Sequence, residues 1–389
     1  MTLLEAPLVV RTDSLLPAEL LSGWDHLELW VGNARAAAHW LVAGFGFTAI
    51  AYAGPETGVR DRVSWVLAQG DVRFVVTAGL DPGGRIADHV RRHGDGVHAI
   101  SFAVDSGVDV ATAFEAAVER GARALDEPHE ITDGDGVVVT AAVAGYGDVV
   151  QRFTFRSHPR FAPGFSDEGL FSFGVGQPVG LTAIDHVVGN VEAGMLDTWV
   201  DTYRSTFGFT ELTHFDRDQI STEFSALRST VLTNRTSRPS GTGRAITMPI
   251  NEPAEGRKRS QIQEYLDAQS SPGVQHIAFA TDDIVASVAQ LRGRGVRFLT
   301  PPASYYRDAR VRMGDVGVDL PWADLSRLGI LVDRDAAGHL LQVFTETFGD
   351  RPTLFFEVIQ RHGAEGFGEG NFKALFEAIE HEQARRGNL

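Results

Sequence analysis

The sequence predicts an α+β protein of two tandem domains, each built from paired β-α-β-β-β modules, with a helix at the C-terminus. Three observations carry that expectation. A chain of 389 residues is long enough for two cores of ordinary size. Its two halves spell the same motifs in the same order, which marks a duplicated domain and not a solenoid. Within each half an apolar strand, a helix with a glycine stop and several further strands recur as a unit.

Residues 1–22 read as an extended lead-in with helical potential around Pro17-Ala18-Glu19-Leu20-Leu21. The first domain is expected over 23–157. It opens on Asp25-His26-Leu27-Glu28-Leu29-Trp30, answered in the second half by Asp185-His186-Val187-Val188-Gly189-Asn190. A helical stretch follows each and ends in Phe-Gly-Phe, at Phe45-Gly46-Phe47 and at Phe207-Gly208-Phe209, where glycine suits a turn out of a helix. Gly96-Val97-His98-Ala99-Ile100-Ser101-Phe102 is answered by Gly273-Val274-Gln275-His276-Ile277-Ala278-Phe279. Helices with glycine stops come next, before Gly121 and before Gly295. Asp148-Val149-Val150-Gln151-Arg152-Phe153-Thr154 aligns with His339-Leu340-Leu341-Gln342-Val343-Phe344-Thr345.

A linker is expected over 158–180, rich in Pro, Gly and Ser, with the second domain over 181–365. The polar stretch 233–243 reads as an exposed loop between two strands. The last unit, 366–389, has a glycine-rich lead, Asn371 as N-cap, and Phe372, Leu375, Phe376 and Ile379 on one helical face.

Composition narrows the function. There is no cysteine, which removes disulfides, thiolate nucleophiles, zinc-thiolate sites and iron–sulfur clusters. A formal charge of −16 argues against a nucleic-acid partner. No stretch approaches the ~20 apolar residues of a membrane span. The first residues lack the positive region of a secretory signal, so a cytoplasmic protein is expected.

The chemistry is carried by polar groups inside apolar strands. His276 lies in the run 273–280, His186 in Ala183-Ile184-Asp185-His186-Val187-Val188, and Glu357 in Leu354-Phe355-Phe356-Glu357-Val358-Ile359. A lone histidine on a strand is more often structural. A carboxylate in so apolar a run, however, is costly to bury unless it meets a cation. Two imidazoles and one carboxylate, each on its own strand, form the ligand set of a non-haem iron(II) oxygenase; zinc or manganese would suit the same ligands. Alignment of the halves puts His26 opposite His186 but Ala99 opposite His276, and the first half runs into the linker where the second supplies Glu357. Only the second half is expected to bind metal. Ser225, Asn251, Gln261, Gln275, Gln342 and Asn371 are polar groups able to orient a substrate, and Phe344, Phe367 and Phe372 are rings able to clamp an aromatic one. Ordinary strand hydrogen bonding and plain core are the competing readings of these two sets.

The motifs Ile184-Asp185-His186, Pro249-Ile250-Asn251-Glu252-Pro253, Ser260-Gln261-Ile262, Gly273-Val274-Gln275-His276, Leu341-Gln342-Val343-Phe344, Phe355-Phe356-Glu357 and Gly366-Phe367-Gly368-Glu369-Gly370-Asn371-Phe372 occur in that order. Together they resemble the 4-hydroxyphenylpyruvate dioxygenase family of the vicinal-oxygen-chelate superfamily, over most of the chain. The resemblance implies two tandem vicinal-oxygen-chelate domains, the first metal-free, and a C-terminal helix that closes the active site. It implies Fe(II) on His186, His276 and Glu357. Ser225, Asn251, Gln261, Gln275, Gln342, Phe344, Phe355, Phe367, Asn371 and Phe372 would be substrate residues, with Gln261, Gln275 and Phe372 as the catalytic members.

The implied reaction joins an aromatic 2-oxo acid, 4-hydroxyphenylpyruvate, with O2 to give homogentisate and CO2. It proceeds by oxidative decarboxylation, ring hydroxylation and side-chain migration. A homodimer or homotetramer is implied as well. Hydroxymandelate synthase is the enzymatic alternative. It hydroxylates the benzylic carbon of the same substrate, and its C-terminal helix reads Ser-Asn-Ile where this chain has Gly370-Asn371-Phe372. A metal-free protein that captures an aromatic acid is the non-enzymatic one. The chain departs from the family pattern at Tyr306-Arg307-Asp308-Ala309-Arg310 and in a longer 233–243 loop.

Overall fold

The computed structural model describes residues 16–167, 176–215, 226–235, 245–256, 258–302, 304–314 and 320–387. A 3-10 turn at Pro17–Leu20 leads into β1 (Leu21–Trp30), α1 (Ala34–Phe45), β2 (Thr48–Ala53), β3 (Arg62–Gln69) and β4 (Val72–Gly79). After α2 (Arg85–His93) the unit recurs as β5 (Gly96–Val104), α3 (Val110–Glu119), β6 (Ala124–Thr132), β7 (Val137–Ala144) and β8 (Val150–Arg156). The second half runs β9 (Leu181–Asn190), α4 (Leu196–Thr202) with a π turn at Tyr203–Phe207, β10 (Thr210–Phe215), β11 (Ala226–Thr233) and β12 (Thr247–Ala254). It continues through α5 (Gln261–Gln269), β13 (Gly273–Thr281), α6 (Ile284–Gly293), α7 (Tyr305–Met313), α8 (Trp322–Leu328), β14 (Leu331–Arg334), β15 (His339–Phe344) and β16 (Phe355–His362), and ends in α9 (Glu369–Arg385).

The strands form two eight-stranded sheets of one topology, β2-β3-β4-β1-β5-β8-β7-β6 and β10-β11-β12-β9-β13-β16-β15-β14. Each β-α-β-β-β unit closes by pairing its first strand in parallel with its last, as in β1 with β4 and β13 with β16. The two units of a half then meet along an antiparallel seam, β1 with β5 and β9 with β13. The paired modules expected from the repeat are therefore present. Gly46 and Gly208 end their helices at φ 75° and 77°, a left-handed conformation open to glycine without penalty.

One alignment of the halves is corrected. Residues 150–156 form β8, the counterpart of β16, and not of 339–345; the counterpart of β15 is β7. Ser101 pairs with His26 and Arg152, as Ala278 pairs with His186 and Glu357. The first half thus places Arg152, not linker, where the second places Glu357. The error has a physical source: neighbouring strands of one sheet carry the same alternating pattern, so a short match fits either of them. A second correction concerns α9, which starts at Glu369 behind Gly368 (φ 76°), with Asn371 inside its first turn instead of capping it. The atypical 306–310 segment lies in α7, and residues 236–243 of the expected long loop fall outside the described residues.

The two sheets share one apolar core. Phe45, ending α1, meets Phe279 and Phe356 of the second sheet at 6.1 and 5.2 Å. In return Phe207, ending the π turn, meets Phe102 and Phe153 of the first sheet at 6.2 and 5.9 Å. Each fully buried ring contributes about 1.5–3 kcal/mol of transfer free energy. That exchange of rings fixes the central strands β9, β13 and β16, which carry the site.

Candidate metal centre

Residues 276 and 278 share one face of β13, because side chains alternate along a strand. Ala278 pairs across the sheet with His186 on one side and Glu357 on the other, so register alone brings His186, His276 and Glu357 to one face. All three are buried. The Nε2 atoms of His186 and His276 lie 3.2 and 3.4 Å from the same oxygen, Glu357 Oε2. The three offer ligand atoms within 4.8 Å of one another.

The other ring nitrogens are already committed. His186 Nδ1 donates to Asp185 Oδ1 at 2.7 Å, and His276 Nδ1 donates to Gln275 Oε1 at 3.0 Å. Consecutive residues 275 and 276 both reach the site because β13 bulges between Val274 and His276. With Nδ1 protonated, each Nε2 turns a lone pair toward the carboxylate, and three electron-pair donors converge on one point. Such a set calls for a cation.

Without a cation, a proton takes its place. Burial opposes charging His186, but the Glu357 carboxylate and Asp185 lift it to about 9. Burial holds His276 below its ordinary value, Glu357 opposing, with His186 adding to the drop. Glu357, despite burial, is held below the usual carboxylate range by the two histidines. The centre favours a positive charge between His186 and Glu357.

Phe355 stacks on His276 at 4.8 Å, Phe344 meets the same imidazole edge-on at 6.0 Å, and Phe367 meets His186 edge-on at 5.2 Å. Gln261, Gln275 and Phe355 line one narrow cavity of about 80 Å³, with Arg386 of the C-terminal segment at its rim. Arg386 is paired to Glu264 of α5 at 2.8 Å. Gln342 is buried, and its Oε1 has no hydrogen-bond partner among the described residues. Asn251 is buried beside Asn190.

Two predicted residues are held by other elements. Asn371 accepts from Tyr305 Oη at 2.5 Å, and Phe372 packs edge-on against Phe215 at 5.3 Å. Ser225 lies outside the described residues. Sequence reading missed Arg361, which binds Asp185 through two nitrogens at 2.8 and 2.9 Å. It also missed Tyr305, Arg312 and Asp333 around the start of α9. The signal for Arg361 was present: an arginine four residues after Glu357 matches Arg156, four after Arg152, once β8 is aligned with β16.

Among families of known proteins, the Glyoxalase/Bleomycin resistance protein/Dioxygenase superfamily matches residues 23–148 and 183–343. A 4-hydroxyphenylpyruvate dioxygenase of Yarrowia lipolytica is 42% identical over 378 residues, 94% of this chain and 93% of that protein. One of Danio rerio is 44% identical over 375 residues, covering 94% and 92%. Among solved structures, a triple mutant of 4-hydroxymandelate synthase from Streptomyces coelicolor is 37% identical, covers 93% of this chain and 99% of that one, and superimposes with a TM-score of 0.80.

Proposed function

The chain belongs to the 4-hydroxyphenylpyruvate dioxygenase family of the vicinal-oxygen-chelate fold, an enzyme family with a metal cofactor, and on that premise we propose that His186, His276 and Glu357 hold iron(II). Two neutral imidazoles and one carboxylate suit iron(II) and leave positions open. When bound, iron would supply the redox chemistry between O2 and the 2-oxo acid. The reaction is conversion of 4-hydroxyphenylpyruvate and O2 to homogentisate and CO2. What carries the reading is the convergence of three ligands whose remaining hydrogen bonds are already made.

The protein's own part is orientation and exclusion of water. Asp185 and Gln275 hold the two imidazoles with Nε2 inward. Phe344, Phe355 and Phe367 wall the space around them, and Gln261, Gln275, Gln342 and Asn251 offer amides for a carboxylate or phenol. Phe372 faces the ring, Asn371 anchors its turn, and α9, within the C-terminal unit 366–389, shuts the site. Ser225 joins the substrate set from the segment before β11. The division into a metal-free domain over 23–157, a linker over 158–180 and an iron domain over 181–365 belongs to the same reading. It draws support from Ala99 and Arg152 at the first half's ligand positions. A homodimer or homotetramer acting in the cytoplasm completes it; no helix among the described residues is long and apolar enough to cross a membrane.

Anaerobic loading with iron(II), followed by 4-hydroxyphenylpyruvate and O2 and chromatography of the products, tests the proposal. Homogentisate with equimolar CO2 is the expected result. The likeness to 4-hydroxymandelate synthase makes its product the specific alternative: 4-hydroxymandelate would keep the metal centre and change the regiochemistry. Iron bound with neither product would overturn the substrate.

A further inference from the structure

Arg361 stands at the end of β16 and touches two parts of the molecule at once. Its Nε and Nη2 grip both oxygens of Asp185, the carboxylate that orients His186. Its Nη1 donates to the carbonyl of Gly366 at 2.6 Å and to that of Ala364 at 3.3 Å. Its guanidinium lies over the ring of Phe367 at 5.3 Å, and that ring meets His186 edge-on. Residues 364–367 lead straight into Gly368 and α9.

The first half repeats the arrangement. Arg156 grips both oxygens of Asp25, which binds His26 Nδ1 at 2.5 Å. Arg156 Nη1 donates to the carbonyl of Phe161, its guanidinium lies 4.0 Å over the Phe161 ring, and that ring meets His26 edge-on at 5.4 Å. There Ala99 and Arg152 stand where His276 and Glu357 stand in the second half, so no comparable ligand set exists. The four-part arrangement of His, Asp, Arg and Phe therefore persists without a metal. What the two copies share is geometric: each ties the chain leaving the last strand across the face of a His–Asp pair.

We propose that Arg361 is a positioning residue that couples the orientation of the ligand His186 to the segment 364–368 from which the closing helix departs. The inference rests on the metal reading of His186. A displacement of residues 364–367 removes Arg361 from their carbonyls and from Phe367, and so loosens its grip on Asp185. A cation on His186 Nε2 strengthens the Nδ1–Asp185 bond from the other side and holds the same guanidinium in place.

Arg361→Gln, Arg361→Lys and the matched control Arg156→Gln test this, each measured as full-length protein. Metal affinity is read by anaerobic titration of iron(II) against a chromogenic chelator, and backbone mobility by amide hydrogen exchange with and without iron. In the wild type, iron is expected to slow exchange across 364–372. Arg361→Gln should weaken iron binding 10–100-fold, raise exchange across 364–372 at least tenfold, and abolish the response to iron. Arg361→Lys, which keeps the charge but not the two-pronged grip, should fall between. Arg156→Gln removes an equivalent pair, yet should speed exchange only around 157–165 and leave iron affinity within twofold. Equal effects from Arg156→Gln and Arg361→Gln would reduce the role to general stability and overturn the proposal. A wild type that binds iron with no change at 364–372 would overturn it alone. A wild type that binds no iron would defeat the metal reading and this inference with it.

Discussion

Glu357 shows what a single residue decides. It is the one carboxylate facing both imidazoles, and its oxygen is the point on which they converge. Glu357→Gln keeps the volume and removes the charge, so metal affinity should drop by more than about 100-fold while the fold persists. A chelator-competition titration checks this, and a loss under tenfold would remove Glu357 from the ligand set. The three proposed ligands were legible in sequence because a polar residue inside an apolar strand is conspicuous. Asp185 and Arg361 were not, because half-buried charges look like ordinary alternation until their partners are known.

A second group of buried residues contributes to acid behaviour. His98 stacks on Trp30 at 3.4 Å beside Glu28, Arg85 and Arg152, and burial pulls it down to about 3. Burial, with His93 adjacent, pulls His89 down to about 4. Both stay neutral in the folded protein, whereas in the unfolded chain they protonate below about 6.5. The unfolded state therefore takes up more protons as pH falls through that window. Stability is full above about 6.5 and drops below it, by about 2 kcal/mol for each histidine between pH 7 and 5. His98→Phe keeps the stack and should reduce the stability lost between pH 7 and pH 5 by about 2 kcal/mol in urea unfolding. An unchanged slope would locate the acid sensitivity elsewhere.

At the scale of elements, the start of α9 shows how two neighbours set a third. Gly370 N–H donates to Asp333 Oδ2 at 2.7 Å, and Asn371 is held by Tyr305 and Arg312, so residues 370 and 371 are pinned before Phe372 departs. A Cβ at position 370 would lie 2.5 Å from Asp333 Oδ1 and 2.9 Å from Arg312 Nε, so Gly370→Ala must displace the two side chains that pin the turn. Displacements of about 1 Å cost up to 100-fold where a substrate must be aligned. Gly370→Ala is expected to raise KM about tenfold and divert part of the product to 4-hydroxymandelate. Phe372→Ile, which removes the ring but keeps the turn, should divert product without speeding amide exchange at 370. Homogentisate as sole product of both variants would show that this turn does not steer the reaction. The sequence announced the helix and its apolar face. It did not announce α7 and β14 as its support, because Tyr305 of the one and Asp333 of the other reach α9 only through tertiary contact.

For the whole molecule, the register of the repeat was the hardest thing to read and the most informative once seen. The pattern of 148–154 fits two strands of one sheet equally well, and only hydrogen-bond pairing shows that Arg152, not linker, replaces Glu357. The duplication also explains why the halves cannot be independent. Phe356, next to the proposed ligand Glu357 and on the opposite face of β16, meets Phe45 and Phe74 of the first half at 5.2 and 6.3 Å, and Phe279 and Phe348 of its own at 5.4 and 5.8 Å. Phe356→Ala opens a cavity where both sheets pack, at a cost of about 3–5 kcal/mol. Because the core is shared, that loss should lower one cooperative transition for both halves, and it should weaken metal binding through the adjacent backbone. With Trp199 and Trp322 of the second half replaced by phenylalanine, thermal unfolding followed at once by fluorescence of Trp24, Trp30, Trp40 and Trp65 on the first half and by metal release on the second should give coincident curves, both shifted down. A fluorescence transition left at the wild-type temperature while metal release moves would mean that the halves fold separately, and that the exchanged rings only fill space.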